Sequence, residues 1–242
     1  MILADTRGRL TRNDLQLVLV LLSRGSGIER ARLECVLEAE GPDPLLDAPD
    51  LVERLLEVRS VCVPSAPLFL YVVVRRSLLE AGLEDRDVAD YLAALLLAFG
   101  QRDRAWRVDW NDDQRHSYLV DIVADLEATE GDRRFKVMAH LGNYALWLSG
   151  VFPDYIAARR VRKGGPDVGY YEAIGRRGFS MASDHGLADR LGLEGIFRTT
   201  SERFRTARSA LNAVSDRVFF PNAFSADRIA RTLGRAGEGP LH

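Results

Sequence analysis

The sequence is short of the residues that would staple a chain or anchor it. It holds two cysteines, Cys35 and Cys62, too few for a disulfide framework. Each stands among apolar neighbours and is expected to behave as a small buried hydrophobe. They lack C-x-x-C spacing, and nothing near either would lower a thiol pKa. Long apolar runs are missing too. Runs such as Leu17–Leu22 and Leu68–Val74 fall far short of the ~20 residues a membrane span needs. A charged residue arrives at Asp5 and no apolar core follows, so no secretory leader is read and the cytoplasm is the expected compartment.

Charge of one sign is lacking as well. The net charge is −2, whereas a typical nucleic-acid or membrane-surface binder carries a clear basic excess. The balance is mildly uneven: residues 1–100 carry a net −5 and residues 101–242 a net +3. Lysine is nearly absent, with Lys136 and Lys163 alone. Because the arginine bias is spread along the whole chain, it reads as GC-rich coding rather than as selection for bidentate contacts.

Catalytic signatures are also missing. There is no G-x-S-x-G elbow, no H-E-x-x-H pair and no G-x-x-x-x-G-K-[ST] loop. Strands alternating with helices are absent, so no βαβ sheet is implied. Internal repeats and low-complexity segments are not found. No cofactor is expected.

What the sequence has in quantity is helical punctuation. Hydrophobic residues make up 47% of the chain, and a length of 242 residues buries a core without staples. Thr11 opens a helix over 12–23. Ser26 and Glu29 form an S-x-x-E box opening one through 40. Asp47-Ala48-Pro49 starts another, ending near 59. Val61–Val63 reads as an extended connector. Ser65 caps 66–81, with Gly82 as its stop. The seven-residue apolar run inside it could be a buried strand, but the continuation through Ala81 favours helix. Asp85 opens 86–99, stopped by Gly100. Residues 101–113 read as a connector that Trp106 and Trp110 staple onto a helical surface. Helices are then expected over 114–130, 133–149, 155–162 and 168–183, the last capped by Asp167. A long one spans 194–219, where Phe197, Phe204, Ala207, Leu211, Val214 and Val218 recur at a 3.6-residue period. Pro221 ends it, Ser225 opens a short helix, and 234–242 is expected to be a disordered tail.

The fold expected is therefore all-α, a multi-helix bundle or orthogonal helical array of about ten helices. An N-terminal subdomain covers 1–100 and a C-terminal one 114–233, with one continuous domain as the alternative.

Two stretches carry candidate chemistry. On the helix over 133–149, Lys136, His140, Tyr144 and Trp147 share a face, with Asn143 beside it. Each of the rings joins an apolar body to one polar tip, which suits a pocket lining. The plainer account is a helix–helix contact with His140 as a satisfied core histidine. On the helix over 168–183, Tyr171, Gly175, Gly178 and Ala182 lie on one line. Glycine costs about 1 kcal/mol in a helix, so two need a reason, either close packing or a ligand in a groove. Tyr170 and Arg176 would border such a groove.

Asp112, Asp113 and His116 have helical spacing for a facial triad, and Asp184-His185 with Asp189 is a similar fragment. Both read as capping and surface charge, so no metal site is expected. Arg159, Arg160, Arg162 and Lys163 cluster before Gly164, followed by Arg176-Arg177. Arg198, Arg205 and Arg208 share a face further on. They could form a phosphate or partner contact, or a solvated face laced with Asp154, Glu172, Glu194 and Glu202.

Function is left with three readings. The first is a non-catalytic binding or regulatory protein acting through a helical surface or groove, with a protein or a second copy as partner. The second is a small-molecule-binding enzyme or sensor with its pocket between helices 133–149 and 168–184. The weakest is nucleic-acid binding through the arginine-rich C-terminal half.

Overall fold

A computed structural model describes residues 1–58, 63–101, 103–116 and 118–221. Among these the chain is all-α, with no strand. It divides into two compact units, Met1–Trp110 and Asn111–His242. The division falls inside the segment read as a connector.

The first unit holds α1 (Arg12–Ser23), α2 (Gly27–Glu40), α3 (Asp43–Leu46), α4 (Leu51–Glu57), α5 (Ala66–Glu80) and α6 (Arg86–Phe99). The expected caps form. The Thr11 hydroxyl accepts from the Asp14 N–H at 3.2 Å and the Asp14 carboxylate accepts from Thr11 N at 2.8 Å. Such a reciprocal cap contributes roughly 1 kcal/mol. Ser26 accepts from Glu29 N, Ser65 from Leu68 N and Asp85 from Asp87 and Val88 N. Gly82 takes a φ of 74° just past α5, the left-handed geometry that favours glycine. Leu68–Val74 is helical rather than a strand. Leu68, Tyr71, Val72, Val73 and Val74 are all buried, as suits a helix apolar on every side.

One expected helix starts late. Asp47 does not open a helix over 47–59. It closes α3, and α4 starts only after Pro49. The reason is electrostatic. Arg75 on α5 is buried, and its guanidinium donates to both Asp47 oxygens at 2.8 and 3.0 Å. Arg86 adds a third bond at 2.6 Å. A carboxylate committed to two arginines is not free to cap a helix. The expected end near 59, and positions 61 and 62 of the connector, lie outside the described residues, as does Cys62. Cys35 is exposed on α2 rather than buried, because α2 buries none of its residues. Trp106 and Trp110 do not staple the connector by burial. They stay 40% and 52% exposed, and the Trp110 ring meets the Arg104 guanidinium at 5.8 Å.

The second unit holds α7 (Leu119–Ala128), α8 (Gly131–Val151), α9 (Pro153–Lys163), α10 (Val168–Ser183), α11 (Gly186–Arg190), α12 (Glu194–Glu202) and α13 (Phe204–Val214). α8 is its axis, buried almost continuously from Phe135 to Val151. α10 and α13 both pack on α8 through glycines. A Cβ on Gly178 would lie 2.7 Å from the Gly142 backbone nitrogen, and one on Gly150 would lie 2.8 Å from the Leu211 Cβ. Asn212 secures the second contact, donating to the Ser149 and Gly150 carbonyls at 3.0 and 2.7 Å.

Two helices differ from expectation here. α7 begins at Leu119, not 114, because the residues before it are held otherwise. Asp112 accepts twice from Arg133, at 2.8 and 2.7 Å. His116 is fully buried, with Nε2 3.3 Å from an Asp125 carboxylate oxygen. The helix expected over 194–219 breaks at Arg203 and ends in a wide π turn over Ser215–Phe219. Phe197, Phe204, Ala207, Leu211 and Val214 are buried on both sides of the break, so the stripe survives it and conceals it. α11 was not expected. It is capped by His185, whose Nδ1 accepts from Leu187 N at 3.2 Å. The expected helix at Ser225 and the tail over 234–242 lie outside the described residues.

Two outcomes follow. Burial raises the Asp47 carboxyl, but the hydrogen bonds from Arg75 and Arg86 outweigh it and hold the group below the usual carboxylate range. That stabilisation is complete above about pH 4 and is lost as pH falls through the depressed folded value. Arg75→Leu should lower the unfolding free energy by about 3 kcal/mol at neutral pH. The gap from wild type should narrow in acid, as urea denaturation at the two pH values will read. Gly178→Ala should cost about 1–3 kcal/mol through overpacking. Gly195→Ala, where a Cβ meets nothing within 4 Å, should be neutral or gain up to about 1 kcal/mol. Thermal melts of the pair check the contrast.

Candidate functional site

The second unit carries a cleft of about 330 Å³ bordered by α7, α8, α9 and α10. Its floor comes from α8, where Tyr144 and Leu148 stand one turn apart and are 4% and 8% exposed. α10 adds Tyr170 and Tyr171 from its first turn. Their position is set by Asp167, whose carboxylate accepts from the Tyr170 N–H at 3.0 Å. α7 adds Tyr118 and Val120 at the rim, 51% and 63% exposed. The Tyr118 N–H donates to the Asp121 carboxylate at 3.1 Å, which fixes the start of that helix. Arg159 reaches in from α9 and lays its guanidinium over the Tyr118 ring, 4.9 Å from the centroid.

The electrostatics favour donors. Burial pushes the Tyr144 phenol up to about 12, with Tyr171 and Tyr155 adding to the rise. Burial also raises Tyr171, against the pull of Arg159. Both hydroxyls therefore stay protonated at neutral pH and present O–H donors. Tyr171 is 4% exposed and lines the cleft. Among the described residues, no protein group hydrogen-bonds its hydroxyl, and no carboxylate lies within ion-pair distance of Arg159. Asp121, whose charge acts on Tyr144, is occupied at the start of α7.

The candidate residues scatter over several environments. Tyr144, Tyr170 and Tyr171 meet in the cleft, and Arg159 joins them from the group read as a phosphate or partner contact. His140 and Asn143 are each 3% exposed and sit among the buried residues of α8. Their neighbour Trp147 packs edge-on against Phe152 at 4.9 Å. Gly175 and Gly178 face protein: a Cβ on Gly175 would lie 2.3 Å from the Phe204 ring. Arg176 is exposed, and its carbonyl accepts from the Ser201 hydroxyl at 2.9 Å. Arg160 borders a second groove of about 540 Å³ on another side of α9, with Ile156, Val161 and Arg208. Arg208 is committed there to Glu172 at 2.7 Å. Arg162 and Lys163 are exposed at the end of α9. Among the described residues, no group of three or more His, Cys, Asp or Glu side chains is placed to hold a metal ion.

Sequence reasoning missed Tyr118, Leu119, Val120, Leu148 and Pro166. One signal was available. The chain has seven tyrosines, and all five beyond residue 111 either line this cleft or, for Tyr155, act on its phenols. No family model, curated protein or solved structure matches the chain.

The burial of Tyr144 has a direct readout. The wild-type minus Tyr144→Phe difference in phenolate absorbance should stay flat through roughly pH 10 and rise only toward 12. A rise at the ordinary phenol value would place that hydroxyl in water.

Proposed function

We propose that this chain is a binding protein whose recognition site is the tyrosine-lined cleft, and that it holds a small ligand reversibly without altering it. One observation carries the reading: Arg159 and Tyr171 line the same concave space, and among the described residues no carboxylate pairs with the guanidinium and no group hydrogen-bonds the hydroxyl. A volume of about 330 Å³ lies within the range of small-molecule pockets, which pair apolar walls with a few placed polar groups. Catalysis is not proposed, because general acid–base work needs a group that exchanges a proton near the working pH. The cleft offers protonated phenols and a guanidinium.

A second reading has its own observation. Val161 is 87% exposed beside Arg160, Arg162 and Lys163. An apolar residue ringed by cations on an outer helix face suits a protein partner with an acidic rim. The cytoplasm is the proposed compartment, since the exposed free thiol of Cys35 is suited to a reducing environment.

The two readings separate in a ligand-observed fluorine NMR screen with a library of fluorinated aromatic fragments. Val120→Trp fills the cleft from its exposed rim and should abolish the wild-type hits. Val161→Trp, on the other groove, should retain them. Hits lost with Val161→Trp alone would move the site to the outer face of α9. Hits indifferent to both, or no hits, would overturn the cleft as a recognition site.

A further inference from the structure

We infer that the ligand of this cleft is a planar aromatic anion, its ring laid against the tyrosine and leucine floor and its carboxylate or phosphate held by Arg159 and Tyr171. The inference rests on the cleft being the recognition site and names the class of molecule it takes.

Three features select that class. The first is uncompensated charge. Three other partly buried arginines of this unit are matched: Arg133 with Asp112 and Asp125, Arg208 with Glu172, and Arg134 with the Leu126 and Thr129 carbonyls. Arg159 has the Tyr118 ring and, among the described residues, no carboxylate in reach. A guanidinium stacked on an aromatic face keeps its N–H edge free for a bidentate acceptor. The second is polarity. The Tyr171 hydroxyl is a donor at neutral pH and so is Arg159, while the nearby carboxylates of Asp121 and Asp167 are engaged with Tyr118 N and Tyr170 N. A ligand bringing acceptors is matched; one bringing donors is not. A cationic guest, which an aromatic cage would otherwise welcome, is repelled by Arg159. The third is shape. Tyr144, Leu148 and Leu119 are buried apolar surface beneath the donors. A flat ring covers such a floor and stacks on its phenols. Arg162 and Lys163 lie on the same helix as Arg159 and add to the positive potential that draws an anion in.

Isothermal titration of three probes of one shape tests this: 2-naphthoate, 2-naphthyl phosphate and the neutral 2-naphthamide. At least one of the anions should bind at least about tenfold more tightly than the amide, as a charge-assisted hydrogen bond implies. Whichever anion binds more tightly identifies the carboxylate or the phosphate as the natural group. Arg159→Gln should bring the anions down to the amide, Arg159→Lys should restore part of the preference, and Arg160→Gln should leave it. Tyr171→Phe should weaken the anions a few-fold, with an unchanged melting temperature showing that the fold is intact. An amide that binds as tightly as both anions, or anions indifferent to Arg159→Gln but blocked by Val120→Trp, would overturn the anion class while leaving the cleft in place. Naphthyl probes that fail to bind while fluorinated fragments still occupy the cleft would overturn it as well. Anions whose affinity ignores both Arg159→Gln and Val120→Trp would instead remove the cleft itself.

Discussion

The backbones of α8 and α10 touch where Gly178 meets Gly142. A methyl group there would lie 2.7 Å from a backbone nitrogen and 3.0 Å from the Met138 carbonyl oxygen, and neither atom can swing away as a side chain can. The second unit is built on that contact. One turn before it on α10, Gly175 admits the Phe204 ring, which α13 carries; one turn after it, Ala182 is fully buried. Along this single face of α10 the small residues are covered by protein. Tyr171, at its N-terminal end, is where the face emerges into the cleft. Tyr144, two residues past Gly142 on α8, supplies the opposing wall. The small residues and the tyrosines thus have separate jobs: the former bring two helices together, and the latter line the space beside them.

The first unit solves its packing by a different route. Its α5 and α6 are apolar nearly all round, and two of the polar groups they bury, Arg75 and Asp90, are tied into ionic contacts. Arg75 joins Asp47 to the Glu84 carbonyl, with 2.6 Å to the latter. Asp90, 3% exposed, accepts from the Arg7 N–H at 2.6 Å, while the Thr6 hydroxyl donates to the Asp90 carbonyl. Burial pushes the Asp90 carboxyl up despite the nearby Arg7, so this group and Asp47 respond to acid in opposite senses. Protonation relieves the burial of Asp90 and removes the ion pairs of Asp47. Charge pairs of this kind contribute more to the choice of one packing than to net stability, and here they fix where α3 ends.

Much of this fold is legible in the sequence because capping is local. Thr11, Ser26, Ser65, Asp85 and Asp167 each satisfy an N–H two or three residues ahead, and no tertiary knowledge is needed to see it. Two departures involve partners far along the chain. Asp47 reads as a helix start until Arg75 and Arg86 claim it. The residues from 114 read as helix until Arg133 takes Asp112 and His116 is buried against Asp125. The break at Arg203 is invisible because the apolar stripe runs through it in phase. The same distinction holds at the site. Tyr144 and the Tyr170–Tyr171 pair are recognisable as rings with polar tips, but Tyr118 and Val120 enter the cleft only because α7 starts late. Arg159 could be seen as one cation of a cluster, yet not as the one that turns inward. That distinction depends on how α9 is rotated, which the alternation of charges does not report.

An open cleft with protonated phenols and a guanidinium that no carboxylate among the described residues matches has a definite energetic character. A buried donor without an acceptor costs about 1–3 kcal/mol, so Arg159 and Tyr171 are tolerable only because the space they face admits water. Any ligand must replace that water with acceptors of its own, or it loses more by stranding the donors than its ring gains by covering the floor. The cleft therefore discriminates by penalty as well as by attraction. A neutral hydrocarbon gains the floor and forfeits the donors, and a hydrated inorganic anion gains the donors and leaves the floor wet. A molecule that carries both a flat apolar body and an acceptor-rich edge is the one that leaves neither side of the cleft unsatisfied.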